Sequence, residues 1–238
     1  MMATTGMLIL QMVGAALCGA VLGLCAARLA ARLLEGRLDP SWMPNAQTSC
    51  ICAAAGACVS ALLIVRLGPT TDCLELMAFS CLLITVLITD LVALVIPNAA
   101  VLLAIAIRAC YLLSVLVTAG PPAAAAALVT SLVGAGVTAV FLGVTALVMN
   151  KLYGSSSLGG GDLKLLMVAG LYFGWRRMVV VVMIACLFGV LGAPLFRSLA
   201  RRQGEKGIFP FGPAIAAACW LCALYGNTLV TWYLALLP

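Results

Sequence analysis

Two aspartates differ from the other acidic residues in their surroundings. Asp90 lies in the run SCLLITVLITDLVALVIPN, where threonines are the polar neighbours before it and Asn98 is the next polar residue after it. Asp162 ends the run GSSSLGGGD and precedes a short apolar segment. A carboxylate in hydrocarbon costs about 2.5–3.5 kcal/mol on insertion scales and is rarely kept without a use. The remaining acids are assigned to loops or to the outer mouth of a helix: Glu35, Asp39, Glu205, Asp72 and Glu75.

Two carboxyl groups that lie close together do not both ionise easily, so one keeps a proton while the other is charged. The charged group can then act as general base on a water, and its partner can donate a proton. Gly159, Gly160 and Gly161 lack Cβ atoms and would let an extended substrate approach the backbone beside Asp162. A glycine triplet alone would indicate only a flexible connector. Beside an aspartate at a helix start, it favours aspartic-protease chemistry.

Other catalytic groups are scarce in this sequence. Histidine is absent, which excludes imidazole-dependent metal sites, Ser-His and Cys-His pairs and imidazole proton relays. Most of the 11 cysteines lie alone in apolar runs, where a thiol packs as a small hydrophobe. Cys219 and Cys222 form a CxxC spacing, so a membrane thiol oxidoreductase is an alternative. No charged neighbour activates either thiol, which favours packing.

The composition requires a membrane protein, because 65% of the 238 residues are hydrophobic and 8% are charged. Thirteen basic and seven acidic residues give a net charge of +6, without a basic stripe for nucleic acid. We predict an all-α polytopic bundle that forms one domain over residues 1–238. The apolar runs predict about eight transmembrane helices, at 7–33, 48–65, 73–96, 98–118, 123–149, 163–175, 178–199 and 213–236.

Positive charges orient this chain. The positive-inside rule places the amino terminus outside, because Arg28, Arg32 and Arg37 follow the first helix. Alternation then puts six further basic residues inside and three outside: Lys151, Lys164, Arg197, Arg201, Arg202 and Lys206 inside, and Arg66, Arg176 and Arg177 outside. Asp90, late in an inward helix, and Asp162 therefore come near the same membrane face. Arg108 falls inside the fourth segment, facing the bundle interior or snorkelling toward a rim.

Three ordered blocks resemble the type IV prepilin peptidases, membrane aspartic proteases of the GxGD type. Asp90 with Pro97-Asn98 is similar to the first catalytic aspartate and the Pro-Asp/Asn that follows it. GGGDLKLLMVAGLYFGW, from Gly159 to Trp175, is similar to the second block. FPFGPAIAAA, from Phe209 to Ala218, is similar to the segment leading into the last helix. The resemblance covers roughly residues 75–238.

The resemblance implies hydrolysis of a peptide bond after a short, basic, glycine-ended leader on prepilins or pilin-like secretion and competence subunits. It places this reaction at the cytoplasmic face of the bacterial inner membrane. It implies that Asp90 and Asp162 are the catalytic pair. The positions expected to border the substrate are Gly159 and Gly161 of the GxGD motif, Lys164, Pro97 and Asn98.

One part of the chain departs from the family pattern. Many bacterial members carry paired CxxC motifs between the first two helices, and the longer members also methylate the new amino terminus. Here the corresponding loop is short, and Cys50-Ile51-Cys52 is a single CxC. The sequence therefore resembles the short form, for which we expect neither zinc nor another cofactor. N-methyltransferase activity and the oligomeric state stay open.

A non-enzymatic alternative is an ion- or proton-coupled transporter, in which Asp90 and Asp162 would be relay groups. No inverted repeat is visible in the sequence, and both aspartates are expected near one face instead of the midplane. These two points favour the peptidase.

Overall fold

The computed structural model describes residues 2–35, 44–153, 159–203 and 210–235. Within these ranges the chain is helical without any strand, which confirms the predicted all-α fold. Several residues used in the sequence analysis lie outside the described ranges: Arg37, Asp39, the residues 154–158, Glu205, Lys206 and Phe209. The helices are α1 (Met2–Leu34), α2 (Ala46–Leu67), α3 (Thr71–Ala93), α4 (Asn98–Ala119), α5 (Pro121–Tyr153), α6 (Gly160–Gln203) and α7 (Gly212–Ala235).

Each helix contains a stretch long and apolar enough to cross a membrane, which gives seven candidate spans in the described ranges. The sequence predicted about eight, and the difference arises in α6, which contains both of the runs 163–175 and 178–199. The helical geometry of α6 is interrupted at Gly174, where φ is 68° and ψ is 167°. Glycine adopts a positive φ readily because it has no Cβ. The two runs are therefore helical segments joined at one residue, without a loop between them.

Short capping sequences fix the ends of the early helices. The Asn45 side-chain oxygen accepts a hydrogen bond of 2.9 Å from the Thr48 N–H at the start of α2. This contact satisfies one of the N–H groups that a helix start leaves without a partner. Gly68, with φ 69°, ends α2, and Gly120, with φ 85°, ends α4. Pro121 then opens α5, a position at which its missing N–H costs nothing.

The described residues divide into two compact units. The first contains α1 to α4 and the beginning of α5 to Ala124. Its most buried helix is α3: 61% of its most apolar stretch is buried, compared with 11% in α1 and 17% in α4. α3 contacts α1, α2 and α4. The Thr85 hydroxyl donates a hydrogen bond of 3.0 Å to the Cys81 carbonyl within the same helix. The helix that carries Asp90 is thus held by all three other helices of this unit.

The second unit contains Leu94–Ile96 and the chain from Ala125 onward. α6 packs along α7, and Leu166, Val181 and Ile215 are among its fully buried side chains. α5 approaches α6 where Gly134 faces Gly170. A Cβ on Gly134 would lie 2.6 Å from the Gly174 Cα, so this approach of two backbones requires glycine. The single domain predicted from the sequence stays a prediction.

Candidate active site

Asp90 occupies the last turn of α3, three residues before the helix ends at Ala93. Asp90 is 6% exposed, and the neighbouring Thr89 is fully buried. The Thr89 hydroxyl donates a hydrogen bond of 3.1 Å to the Val86 carbonyl, so its polar group is satisfied within the helix. A carboxyl is therefore buried at the end of the most enclosed helix in the first unit. Such an environment is typical of functional carboxyl groups in membrane proteins.

Asp162 lies in the first turn of α6, where the sequence placed it. The first backbone hydrogen bond of this helix runs from the Leu163 N–H to the Gly159 carbonyl at 3.2 Å. Gly159 is therefore the residue that caps the helix, and Asp162 is the third residue after it. The carboxylate lies near the positive end of the helix dipole. Asp162 is partly buried, in contrast to the exposed Gly159 and Gly160.

The surroundings of the three glycines give a physical reason for a G-x-G-D pattern. A Cβ on Gly159 would lie 2.8 Å from Asp162 Oδ2, so glycine here leaves room for the carboxylate. A Cβ on Gly160 would meet nothing within 4 Å. A Cβ on Gly161 would lie 3.1 Å from the Ile96 Cβ, which is tighter than ordinary packing. The first and third positions are sterically restricted, and the second is free.

The other sequence-predicted site residues take different positions. Pro97 is the N-terminal cap of α4, and Asn98 is the exposed first residue of that helix. Lys164 is exposed on α6, two residues after Asp162. Asp90, Pro97 and Asn98 belong to the first unit, whereas Gly159, Gly161, Asp162 and Lys164 belong to the second. The proximity of the two aspartates stays a prediction.

The sequence analysis missed one buried ion pair. Glu75, assigned to the outer mouth of its helix, is the fifth residue of α3, where it is buried and pairs with Arg108. Arg108 Nη1 lies 2.8 Å from one Glu75 carboxylate oxygen and 2.9 Å from the other. Arg108 thus faces the interior. An arginine within an apolar helix needs a carboxylate at the same depth, and Glu75 on the preceding antiparallel helix met that requirement.

The CxxC cysteines lie in the core of the second unit. Cys219 and Cys222 are each 1% exposed. The Cys222 thiol is 3.8 Å from the Arg177 carbonyl oxygen, to which it donates. Thiol–disulfide exchange needs a thiolate that a second thiol or disulfide can reach. Burial of both sulfur atoms therefore favours a packing role.

No group of three or more cysteine or acidic side chains that could hold a metal ion occurs within residues 2–35, 44–153, 159–203 and 210–235. The expected absence of zinc and of other cofactors stays a prediction.

Comparisons with known proteins give one consistent result. The sequence model of the type IV leader peptidase family matches residues 77–193. A prepilin leader peptidase/N-methyltransferase of Bacillus subtilis (strain 168) is 31% identical over 197 residues, which are 79% of this chain and 66% of that protein. A protein of the same name from Aeromonas salmonicida (strain A449) is 35% identical over 85 residues, 35% of this chain and 28% of that protein.

A third relative of that name, from Xanthomonas campestris pv. campestris, is 34% identical over 105 residues, 44% of this chain and 36% of that protein. This chain therefore spans 66% of the length of the Bacillus relative and 28% to 36% of the other two. No solved structure gives a significant match. The matched region contains both aspartates, the Pro-Asn pair and the G-x-G-D turn, and its apolar helices are those of a multi-pass membrane protein. The chain belongs to the type IV leader peptidase family.

Proposed function

We propose that this protein is an intramembrane aspartic endopeptidase that removes the leader peptide from type IV prepilins or pilin-like secretion and competence subunits. Asp90 and Asp162 are the catalytic pair in this proposal. The observation that carries it is the family match over residues 77–193, which includes both aspartates. The burial of Asp90 and the position of Asp162 at a helix start support it.

The two carboxyl groups supply general base and general acid. The ionised aspartate takes a proton from a water molecule, whose oxygen attacks the scissile carbonyl carbon. The protonated aspartate donates its proton to the carbonyl oxygen. When the tetrahedral intermediate collapses, the C–N bond breaks and the leaving amine takes a proton from the first aspartate. The second aspartate recovers its proton from the hydroxyl group, so one water is consumed and the pair is regenerated.

Ile96, six residues after Asp90 in the chain, packs against Gly161, which directly precedes Asp162. Both residues of this contact belong to the second unit. We propose that the leader enters a cleft on the cytoplasmic face of the inner membrane, and that the substrate helix arrives sideways from lipid.

The relatives are named for two activities, peptidase and N-methyltransferase. We propose the peptidase for this chain and leave N-methylation to measurement, because the chain resembles the short form. A mass spectrum of a processed prepilin reports both the cleavage point and any added methyl group.

The catalytic pair is tested with Asp90→Asn and Asp162→Asn, each co-expressed with a type IV prepilin that carries a basic, glycine-ended leader. Each change removes a proton donor or acceptor, and we expect cleavage to fall at least about 100-fold. Glu35→Gln, an exposed carboxyl at the end of α1, is the matched control and should cleave normally. The unfolding temperature in detergent should be similar for all three variants. Normal processing by either aspartate variant would end the proposal.

The thiol alternative is tested in the same assay with Cys219→Ala combined with Cys222→Ala. A peptidase should keep its cleavage rate, because neither sulfur takes part. Loss of cleavage in a folded double variant would assign the two thiols a part in the reaction, and disulfide exchange by a parent protein that cleaves no prepilin would favour the redox enzyme.

A further inference from the structure

A group of charged and aromatic side chains, buried at Glu75 and Arg108 and exposed at Asp72, joins α3 to α4 away from Asp90. Its centre is the ion pair between Glu75 and Arg108, whose side chains are 6% and 11% exposed. The Arg108 guanidinium also lies over the Tyr111 ring, with its Cζ 4.7 Å from the ring centroid. The Tyr111 hydroxyl donates a hydrogen bond of 2.7 Å to Asp72 Oδ1. Two residues of α3 therefore contact two residues of α4 through charge and hydrogen bonding.

The buried ion pair is not explained by a large contribution to the stability of the fold. Removing two charges from water costs several kcal/mol for each ion, and their attraction inside the protein roughly repays it. Well-packed apolar residues in place of a buried pair are often as stable or more stable. A buried pair is better suited to specifying one arrangement among several similar ones, a role best attested for the register of helices.

The packing face of α4 does not by itself fix the position of this helix along α3. All residues of α4 are described, and those that are buried are Ala100, Ala104 and Arg108, which form a single stripe with a spacing of four. A shift by one repeat, about 6 Å along the helix, would place one alanine where the other had been. Apolar packing between helices in lipid has no hydrophobic driving force that would distinguish these positions. Arg108 is the one large buried side chain on the stripe. It can pair with the Glu75 carboxylate at only one position of α4 along α3.

The same two helices carry sequence-predicted site residues at their other end. Asp90 is fifteen residues after Glu75 on α3, about 22 Å along the helix. Asn98 opens α4 after the short connection Leu94–Pro97. The connection closes one end of this helical hairpin, and the ion pair joins the two helices further along, at Arg108, ten residues after Asn98 in the middle of α4. A tilt or shift of α4 on α3 would therefore move Asn98 relative to Asp90.

We propose that Glu75 and Arg108 are positioning residues for the peptidase reaction: their ion pair sets the register of the α3–α4 hairpin and so holds Asp90 and Asn98 in place. This inference rests on the proposed function. A displacement of about 1 Å at a reacting group can lower a rate about 100-fold, so a modest change in register is sufficient for a measurable effect. Neither residue touches substrate in this proposal.

The test compares the parent protein with the double variant Glu75→Leu/Arg108→Met, using a purified prepilin in detergent micelles. Because apolar residues replace both charges, we expect the unfolding temperature to stay the same or rise. We expect kcat to fall about tenfold or more, because the catalytic end of the hairpin loses its fixed register. KM for the prepilin should change less than kcat, since the leader contacts neither position and is affected only through Asn98.

Two further variants complete the experiment. The charge exchange Glu75→Arg/Arg108→Glu restores an ion pair at the same level and should recover most of the lost kcat. The control Leu74→Met/Leu113→Met changes exposed apolar residues on the same two helices and should behave as the parent does.

Each possible result decides the inference. Normal kcat in the apolar double variant would overturn it, and so would a parallel loss of kcat and unfolding temperature, which would assign the pair to the stability of the fold. An exchange variant that is folded but no more active than the apolar variant would also contradict it. If the parent itself cleaves no prepilin, the proposed function fails and the inference falls with it. That outcome is distinct, because it appears before any variant is compared.

Discussion

Two buried acids on α3 lie at opposite ends of that helix. Glu75, in its second turn, forms an ion pair with Arg108. Asp90, in its last turn, lies beside the fully buried Thr89. The match to the leader peptidase family covers residues 77–193, which include Asp90 and begin after Glu75. The family match therefore favours Asp90 as the residue that takes part in chemistry, and the ion pair favours Glu75 as the residue that holds structure.

The glycines before Asp162 allow a prediction from adjacent residues. Gly161→Ala would bring a Cβ to 3.1 Å from the Ile96 Cβ, so one of the two segments must move by a few tenths of an ångström. We expect prepilin cleavage to fall about tenfold, because Asp162 follows directly in the chain. Gly160→Ala places its Cβ in open space and is the matched control. The measurement is kcat in detergent, and equal rates for the two variants would contradict the steric explanation.

At the scale of the element, the contact of α5 with α6 depends on missing side chains. Gly134 and Gly170 bring the two backbones together, and Gly174 interrupts α6 at the same level. Small residues are the usual means by which membrane helices approach closely, because packing contacts replace the hydrophobic effect inside lipid. The segment of α6 that carries Asp162 is thus bounded by the G-x-G-D turn at one end and by Gly174 at the other.

This contact predicts opposite effects at two nearby glycines of α5. Gly134→Ala would place a Cβ 2.6 Å from the Gly174 Cα, and backbone cannot yield without separating the helices. We expect a loss of about 1–3 kcal/mol in the free energy of unfolding, as for other overpacked sites. Gly136→Ala meets nothing within 4 Å and should gain up to about 1 kcal/mol from the higher helix propensity of alanine. Thermal unfolding in detergent measures both, and a stable Gly134→Ala variant would refute the close-packing explanation.

At the scale of the whole molecule, the positive charges predict how the chain crosses the bilayer. Arg28 and Arg32 lie near the end of α1, Lys151 near the end of α5 and Lys164 near the start of α6, all on the predicted cytoplasmic side. Arg176 and Arg177 follow the interruption at Gly174 after Trp175, on the predicted outer side. If α6 crossed the membrane once, its two ends would lie on opposite sides. The predicted distribution instead requires α6 to turn back at the interruption.

Reporter fusions test this arrangement. We expect a fluorescent protein that folds only in the cytoplasm to be active when fused after Lys151 or after Gln203, because the positive-inside rule places both positions inside. A reporter enzyme that is active only outside should work when fused after Arg177 and fail at the two other positions. Activity of the outside reporter after Gln203 would show that α6 crosses once and would reverse the predicted orientation of α7.

The sequence by itself determined the properties that depend on composition and on local motifs. The excess of apolar residues required membrane helices, and polar, glycine and proline residues placed the ends of α2 and α4 within a few residues of their observed bounds. The three ordered blocks identified the family, because each is a contiguous run of residues that can be recognised without knowing how the helices pack. The placement of Asp90 late in α3 and of Asp162 early in α6 followed from the same runs.

Tertiary structure decided which helix faces meet. A membrane helix is apolar on all sides, so its sequence carries little periodicity to show which residues are buried. For this reason the partner of Arg108, the burial of Glu75 and the contact of Gly161 with Ile96 could not be predicted, although each is simple once the helices are packed. The joining of two predicted spans into α6 also needed the structure, since Arg176 and Arg177 separate the two apolar runs in the sequence, whereas the helix is interrupted only at Gly174.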